Sequence, residues 1–422
     1  MKKVLVISYS FPPANSPAAK RAFYFVKYLP EFKIQPFVLT SPNQISSLGY
    51  GSSLNDSAIC FIDSPPSVNK SQRTSKDVVK PGIVTSILRH LLFPDRGIVW
   101  APRAFKKAFQ FLRTKKDIDF IFATAPSFVN VLLALLLSVF FRKKMVIDFR
   151  DFYFTKGLFK RFFLFRWLDF LLEFFAMKKA SAIVFISKGM LNAYVKRYPF
   201  IKPKASIIYN GIDLQNYNAS VNLTKSYSES QPLKLFYAGS LYLNSSHPRD
   251  IFRILNLFEE LHQLKKIPDY EFHIASNLTP LELLRFEPYI ATGKVKLLGV
   301  LSQEEVEKYY NKVDACLLLL GNSDQDQFAV PIKVFEYLVT GLPILSLTPA
   351  QAEVLELLSN SDLYANCKYS VSDSTENTKT IIDWFVKLKS LNRQAPDSNL
   401  LNKFDRKEQT KELANLMNLL CD

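Results

Sequence analysis

The chain opens on a short apolar run, "KVLVIS", and after two prolines continues into "AAKRAFYFVKYLPEF", where apolar residues return every three or four positions. The first pattern predicts a buried strand and the second a helix with one face on a core. The alternation goes on through the strands "IQPFVLTS" and "IDFIFATA", a helix from Phe128, the strand "KMVIDFR", a helix from Phe159 and the strand "ASAIVFIS". Strand, helix, strand is the order of a parallel sheet with crossover helices. Residues 44 to 85, rich in Ser, Pro and Asn, break the pattern and are expected to form a long surface loop.

After "PKASIIYNGIDLQNY" and a polar stretch to Gln231 the pattern restarts. It runs through the strand "LKLFYAGSL", the helix "PRDIFRILNLFEELHQL", the strands "YEFHIAS" and "VKLLGVL", the helix "SQEEVEKYYNKV", the strand "ACLLLL", a further helix and the strand "PILSL". The predicted fold class is therefore α/β, with two Rossmann-like doubly wound domains, residues 1–200 and 201–422. The amphipathic "RKEQTKELANLMNLL" is expected to close the second. A hydrophobic content of 48% in 422 residues suffices for two cores.

Two segments bear on a membrane. "FVNVLLALLLSVFF" is apolar throughout but shorter than the ~20 residues a spanning helix needs, so it reads as a buried helix. "FKRFFLFRWLDFLLEFF" places Phe159, Phe163, Trp167, Phe170, Leu171 and Phe174 on one helical stripe, with Arg161, Asp169 and Glu173 opposite. Phe162, Phe165 and Leu172 interrupt the polar side, so both a membrane-facing amphipathic helix and a mostly buried one fit. The first apolar run is too brief for a signal-peptide core.

Charge adds a polarity to this picture. Residues 1–200 carry 31 Lys+Arg against 11 Asp+Glu, and the rest 23 against 27, within a formal net charge of +16. The basic half suits an anionic partner, such as a lipid surface or a phosphorylated substrate, or is simply a solvated basic face. No recognition motif or interleaved basic-aromatic array points to nucleic acid. Cys60, Cys316, Cys367 and Cys421 and the scattered His90, His247, His262 and His273 show no metal-ligand spacing, so no metal is expected. The thiols read as free in a reducing cytosol.

Candidate chemistry lies in two stretches. In "VPIKVFEYLVTGLPIL", Pro331 suits the start of a helix and Gly341 its end, which places the helix N-terminus at the carboxyl edge of the sheet. Ligands bind at that edge in open α/β sheets. Lys333 and Glu336 share one helix face: a lysine beside a helix N-terminus suits phosphate oxygens, and a carboxylate one turn on suits ribose hydroxyls. A solvated ion pair is the plainer reading of the same spacing. In "DFRD", Asp148, Arg150 and Asp151 end a predicted strand at the corresponding edge of the first domain. They suit a group that orients or deprotonates a substrate hydroxyl, or a network that holds the following loop.

"VPIKVFEYLVTGLPIL" resembles the "P-x-K-x-x-E-Y-L-x-x-G-x-P-I-L" segment of GT-B glycosyltransferases of the family 4 type, which build bacterial cell-surface polysaccharides. "YSFPPANSPAAKRAFYFVKYL" with Arg21, "LLFPDRGIVWAPRAFKKA", "ATAPSF", "IDFRDFY", "SAIVFISKGM", "IYNGID", "YAGSLY" with Arg249, and "VKLLGVLSQEEVEKYY" are similar to further family segments, in the family's order. The resemblance spans nearly the whole chain and implies two domains facing a cleft. The first would bind the acceptor, and the second a nucleotide-sugar donor that serves as co-substrate with no separate cofactor. It also implies that Glu336 binds the donor ribose. Gly239, Ser240, Arg249 and Lys333 would surround the diphosphate, and Asp148, Arg150 and Asp151 would be the catalytic candidates. Three departures stand out: Phe328 replaces a frequent second acid, Ser240 and Ser245 replace a frequent arginine and lysine, and "ANSPAAK" lacks the glycines of the first loop.

The function implied is a nucleotide-sugar-dependent glycosyltransferase of polysaccharide or lipopolysaccharide assembly, moving a sugar to a lipid-linked or saccharide acceptor and retaining configuration at the transferred sugar. It would be cytoplasmic, with the inner face of the cytoplasmic membrane as a further, anionic partner. A nucleotide-sugar epimerase of the same fold and a non-catalytic membrane-surface scaffold are the alternatives.

Overall fold

The computed structural model describes residues 1–12, 17–41, 60–61, 92–153, 163–216, 231–245, 247–359, 364–369, 374–390 and 398–421. The chain divides into two compact units, Met1–Asp213 with Asp405–Asp422, and Leu214–Phe404. Of the expected loop 44–85, only Cys60 and Phe61 lie within the described residues, where they form a short strand. Phe159, Arg161 and Phe162 lie outside them.

In the first unit the elements are β1 (Lys2–Ser8), α1 (Pro17–Tyr28), β2 (Ile34–Thr40), β3 (Cys60–Phe61), α2 (Ala101–Thr114), β4 (Phe120–Ala125), α3 (Phe128–Phe140), β5 (Lys144–Phe149), α4 (Phe163–Lys179), β6 (Ala182–Phe185), α5 (Lys188–Arg197) and β7 (Ala205–Ile207). They build a seven-stranded parallel sheet in the order β3-β2-β1-β4-β5-β6-β7. Strands such as β4 are buried at every position, because helices cover both faces, and so they read as unbroken apolar runs. Asp95 ties the "PDRGIVW" turn to this layer: its carboxylate accepts from Gly97 N at 2.7 Å and from Val129 N, in the first turn of α3, at 3.2 Å.

The second unit holds β8 (Leu233–Ala238), α6 (Ile251–Gln263), β9 (Tyr270–Ala275), α7 (Pro280–Leu284), α8 (Glu287–Ala291), β10 (Val295–Leu297), α9 (Gln303–Tyr309), β11 (Ala315–Leu319), α10 (Ile332–Thr340), β12 (Ile344–Thr348), α11 (Val354–Leu358), β13 (Tyr364–Lys368), α12 (Ser374–Ser390) and α13 (Ser398–Lys403). Its six parallel strands run β10-β9-β8-β11-β12-β13. The expected strand "VKLLGVL" is shorter than read, since Gly299 takes a positive φ of 68° and turns the chain. Two apolar clusters, one around Phe258 and Trp384 and the other around Tyr310 and Tyr337, are the packed core of this unit.

Two expectations are corrected. The closing helix α14 (Arg406–Leu419), assigned from sequence to the second domain, packs on the first unit: Leu413, Ala414 and Met417 join Phe11, Phe23 and Phe25 in one cluster. Its entry is fixed by Arg406 N donating to Ile212 O at 2.9 Å and by Gln409 Nε2 donating to Asn210 O at 3.0 Å. The second correction concerns α4. Asp169 and Glu173, read as the polar side, are buried, whereas Trp167, read on the apolar stripe, and Phe175 are exposed. Tyrosine hydroxyls make this inversion tolerable: Tyr153 donates to Asp169, and Tyr194 and Tyr198 donate to Glu173 at 3.2 and 2.9 Å.

Among the described residues no helix is long and apolar enough to cross a membrane. The 13-residue α3 is ~20 Å long.

Candidate functional site

In the second unit the strand order reverses between β8 and β11, and these two strands pair only at Leu235 with Ala315 and Phe236 with Cys316. On its other side β8 pairs with β9 at every position from Leu233 to Ala238. Beyond Phe236 the switch-point strands therefore part, opening the crevice where ligands of such sheets bind. The crossover after β11 fills the gap with α10. Tyr337 OH donates to Leu317 O at 3.2 Å, and Lys333 Nζ to Ala238 O at 2.9 Å.

The helix begins and ends as the sequence indicates. Pro331 is its N-cap, with no side chain capping the first-turn amides, and Gly341 is its C-cap in the left-handed region. Lys333 lies over the Tyr237 ring, 4.2 Å from the centroid. Burial, and next the nearby charge of Arg249, draw its ammonium down to about 7, while Glu336 opposes the shift. Gly239 has φ +140°, and a Cβ there would stand 2.8 Å from Lys333 Nζ, so only glycine lets strand and lysine approach this closely. Arg249 joins them: it donates to Ser240 O at 2.8 Å, the same oxygen that accepts from Tyr237 OH at 2.8 Å, and stacks over Tyr242.

Gly239, Ser240, Arg249, Lys333 and Glu336 are thus set around the end of β8 and the start of α10. Glu336 is half-buried and held from α9 and the turn that follows it, by Gln303 Nε2 at 3.1 Å and Tyr310 OH at 3.2 Å. The sequence reading missed this pair. Gln303 and Tyr310 are seven residues apart in "SQEEVEKYY", two helical turns, which puts them on one face. Phe328, at the position of the missing acid, closes a single 3-10 turn whose Asp326 accepts from Ser323 N at 2.9 Å. A Cβ on Gly321 would lie 2.6 Å from Asp326 Oδ2, so this carboxylate sits against the end of β11.

In the first unit, "DFRD" does not present three equivalent groups. Asp148 is fully buried, and its oxygens are occupied: Arg21 Nε and Nη2 donate to it at 3.0 and 2.8 Å, and Thr124 Oγ1 at 2.8 Å. Both oxygens of this carboxylate are thus engaged within the fold, and in this structure Asp148 anchors α1 to β5. Arg21 also donates to Tyr209 O at 2.6 Å and Ile208 O at 2.8 Å, pinning the chain after β7 to α1. Arg150 Nε donates to Ala125 O at 2.6 Å, locking the ends of β4 and β5 together. Only Asp151, the last of the four, has an exposed side chain.

Residues 61–216 match the family model described as Glycosyltransferase Family 4. Solved structures share the fold over essentially full length. Sucrose-phosphate synthase from Thermosynechococcus elongatus superposes with a TM-score of 0.61 at 13% identity, covering 100% of this chain and 99% of its own. HepE of Anabaena in complex with UDP gives 0.60 at 12%, covering 99% and 100%, and the catalytic domain of starch synthase IV from Arabidopsis thaliana bound to ADP and acarbose gives 0.61 at 9%, covering 100% and 99%. The chain has the fold of these glycosyltransferases. No curated protein matches it. The two doubly wound sheets stand as read from sequence, whereas the partners of Glu336 and of Asp148 emerge only from the packing.

Proposed function

We propose that this protein is a glycosyltransferase that draws its sugar from a nucleotide-sugar donor bound in the second unit and passes it to a lipid-linked saccharide acceptor in polysaccharide or lipopolysaccharide assembly. The observation that carries the reading is the convergence, at the parted ends of β8 and β11, of Lys333, Arg249, the open first turn of α10 and the held carboxylate of Glu336. Solved structures of similar fold include HepE in complex with UDP-glucose, which supports a donor of this class.

The division of labour follows from charge. When the bond from the sugar's anomeric carbon to the diphosphate breaks, negative charge grows on the leaving oxygens. Lys333, Arg249 and the helix amides stabilise it without reorganising. Glu336 accepts hydrogen bonds from the ribose hydroxyls, already oriented by Gln303 and Tyr310. The acceptor oxygen forms the new bond to the anomeric carbon as its proton leaves; Asp151 is the candidate base that the first unit offers, beside Arg150 and Asp148, which tie the end of β5 to β4 and α1. Configuration is retained, with no protein nucleophile assigned. The protein works in the cytoplasm, at the inner face of the membrane that carries its acceptor.

A thermal-shift screen with UDP-, GDP-, ADP-, CMP- and dTDP-sugars tests this. A ligand at about 100 times its Kd stabilises the native state by ~2.7 kcal/mol. One responding nucleotide, with the shift lost in Glu336→Ala, is the expected result. Silence across the panel overturns the donor site, and conversion of donor alone into its epimer would assign an isomerase instead.

A further inference from the structure

One helix layer of the first unit exposes apolar side chains and, among the described residues of its helices, no acid. Helix α2 packs on α3, and α3 on α4, covering the sheet face opposite α1 and α14. Neither α2 nor α3 contains an acidic residue, and the two acids of α4, Asp169 and Glu173, are turned inward onto tyrosines. What faces out is Val139 and Phe140 of α3, Trp167 and Phe175 of α4, and Phe200 in the turn after α5. Phe140 is 64% exposed and Trp167 54%.

These rings form ordered groups. Phe174 lies 5.5 Å from Phe175 and 6.0 Å from Phe200, and Trp167 continues the row through Phe170. Phe140 packs at a tilt against Phe109 of α2, 4.8 Å between ring centroids. Exposed cations stand among them: Arg103, Lys106, Lys107 and Arg113 on α2, Arg166 and Lys178 on α4, and Arg197, whose guanidinium lies 5.9 Å from the Phe170 centroid.

We propose that this α2–α3–α4 face, with Phe200 beside it, docks the protein on an anionic lipid bilayer. The aromatic and aliphatic side chains enter the interfacial region, and the surrounding lysines and arginines meet the lipid phosphates. The inward turn of Asp169 and Glu173 is the distinguishing feature: it removes the only negative charges these helices own from the side that would face the headgroups. A second copy is a poor occupant, since a two-fold contact would set one acid-free basic face against another. A nucleic-acid backbone has no use for the exposed Val139, Phe140 and Phe175. The inference deepens the membrane-acceptor part of the proposed function. Docking is read without donor or acceptor, so its failure is separable from failure of the donor site.

Trp167 supplies the reporter, because Trp100 and Trp384, the chain's other tryptophans, are buried. The full chain is mixed with phosphatidylglycerol-containing vesicles or with pure phosphatidylcholine vesicles. Co-sedimentation and tryptophan emission are followed, with nucleotide-sugar thermal shift as the control on the same samples. Co-sedimentation with the anionic vesicles alone is expected. It should come with a blue shift of emission that brominated acyl chains quench, and with weakening as salt rises. Trp167→Phe should keep the binding and lose the shift. Phe140→Ser with Phe175→Ser, and separately Arg166→Glu with Lys178→Glu, should weaken binding by at least about tenfold at unchanged melting temperature. Equal binding to both vesicle types, or undiminished binding by both double variants, overturns the proposal. So does a blue shift that appears on concentrating the protein without lipid, or one produced by RNA in place of vesicles.

Discussion

Lys333 illustrates how a single residue carries charge chemistry in this fold. With its ammonium drawn down to about 7, it is half neutral at neutral pH in the free protein. A bound diphosphate favours the charged form. Below about pH 7 the lysine is already protonated, and donor affinity should be flat. Above it, binding must take up a proton, so Kd should rise toward a limit of about tenfold per pH unit. Isothermal titration calorimetry from about pH 6 to about pH 9 measures this, and Lys333→Arg should flatten the profile, because a guanidinium stays charged. Gly239→Ala tests the close approach itself. The new Cβ meets Lys333 Nζ in a backbone conformation that L side chains rarely adopt. A loss of ~1–3 kcal/mol of stability and loss of the nucleotide response should appear together in thermal-shift curves.

Among the elements, the Arg21–Asp148 pair joins α1 to β5 and, through Ile208 and Tyr209, to the chain after β7. Arg21→Met strands a buried carboxylate and should cost ~3–5 kcal/mol in urea unfolding. The double variant Arg21→Met with Asp148→Leu should recover part of it, since the uncompensated charge is gone. How far such elements can be read in advance depends on the range of the forces that fix them. Strands β1, β4 and β11 are continuous apolar runs because both faces are covered, and Pro331 and Gly341 mark α10 through purely local backbone chemistry. By contrast, β7 and β13 are short and half-buried, and their sequences "ASI" and "YANCK" carry little period of their own. The inward turn of α4 depends on three tyrosines brought from Tyr153, Tyr194 and Tyr198. Helical spacing in "FLFRWLDFLLEFF" separates the acids from the aromatics but says nothing of which side faces the core.

At the scale of the molecule, two cores in separate units make unfolding more than one event. Leu413→Ala on α14 removes a fully buried side chain from the first unit's cluster and should cost that unit ~2–5 kcal/mol. Calorimetry should show the corresponding transition moving down, while the donor-responsive transition of the second unit stays put. The destination of α14 was hidden in the sequence for the same reason as the turn of α4. Its apolar stripe specifies that it packs on something, and only the Ile212–Asp405 pairing and the pocket around Phe11 and Phe25 specify what.

The return of α14 also sets an order in time. Because residues 405–422 complete a unit begun at residue 1, the whole of 214–404 leaves the ribosome before the first unit owns all of its core. Domains that fold during synthesis usually do so from the amino terminus. Here the later-encoded unit is the first that can finish. Until the last helix arrives, the cluster that holds Phe11 and Phe23 lacks Leu413, Ala414 and Met417.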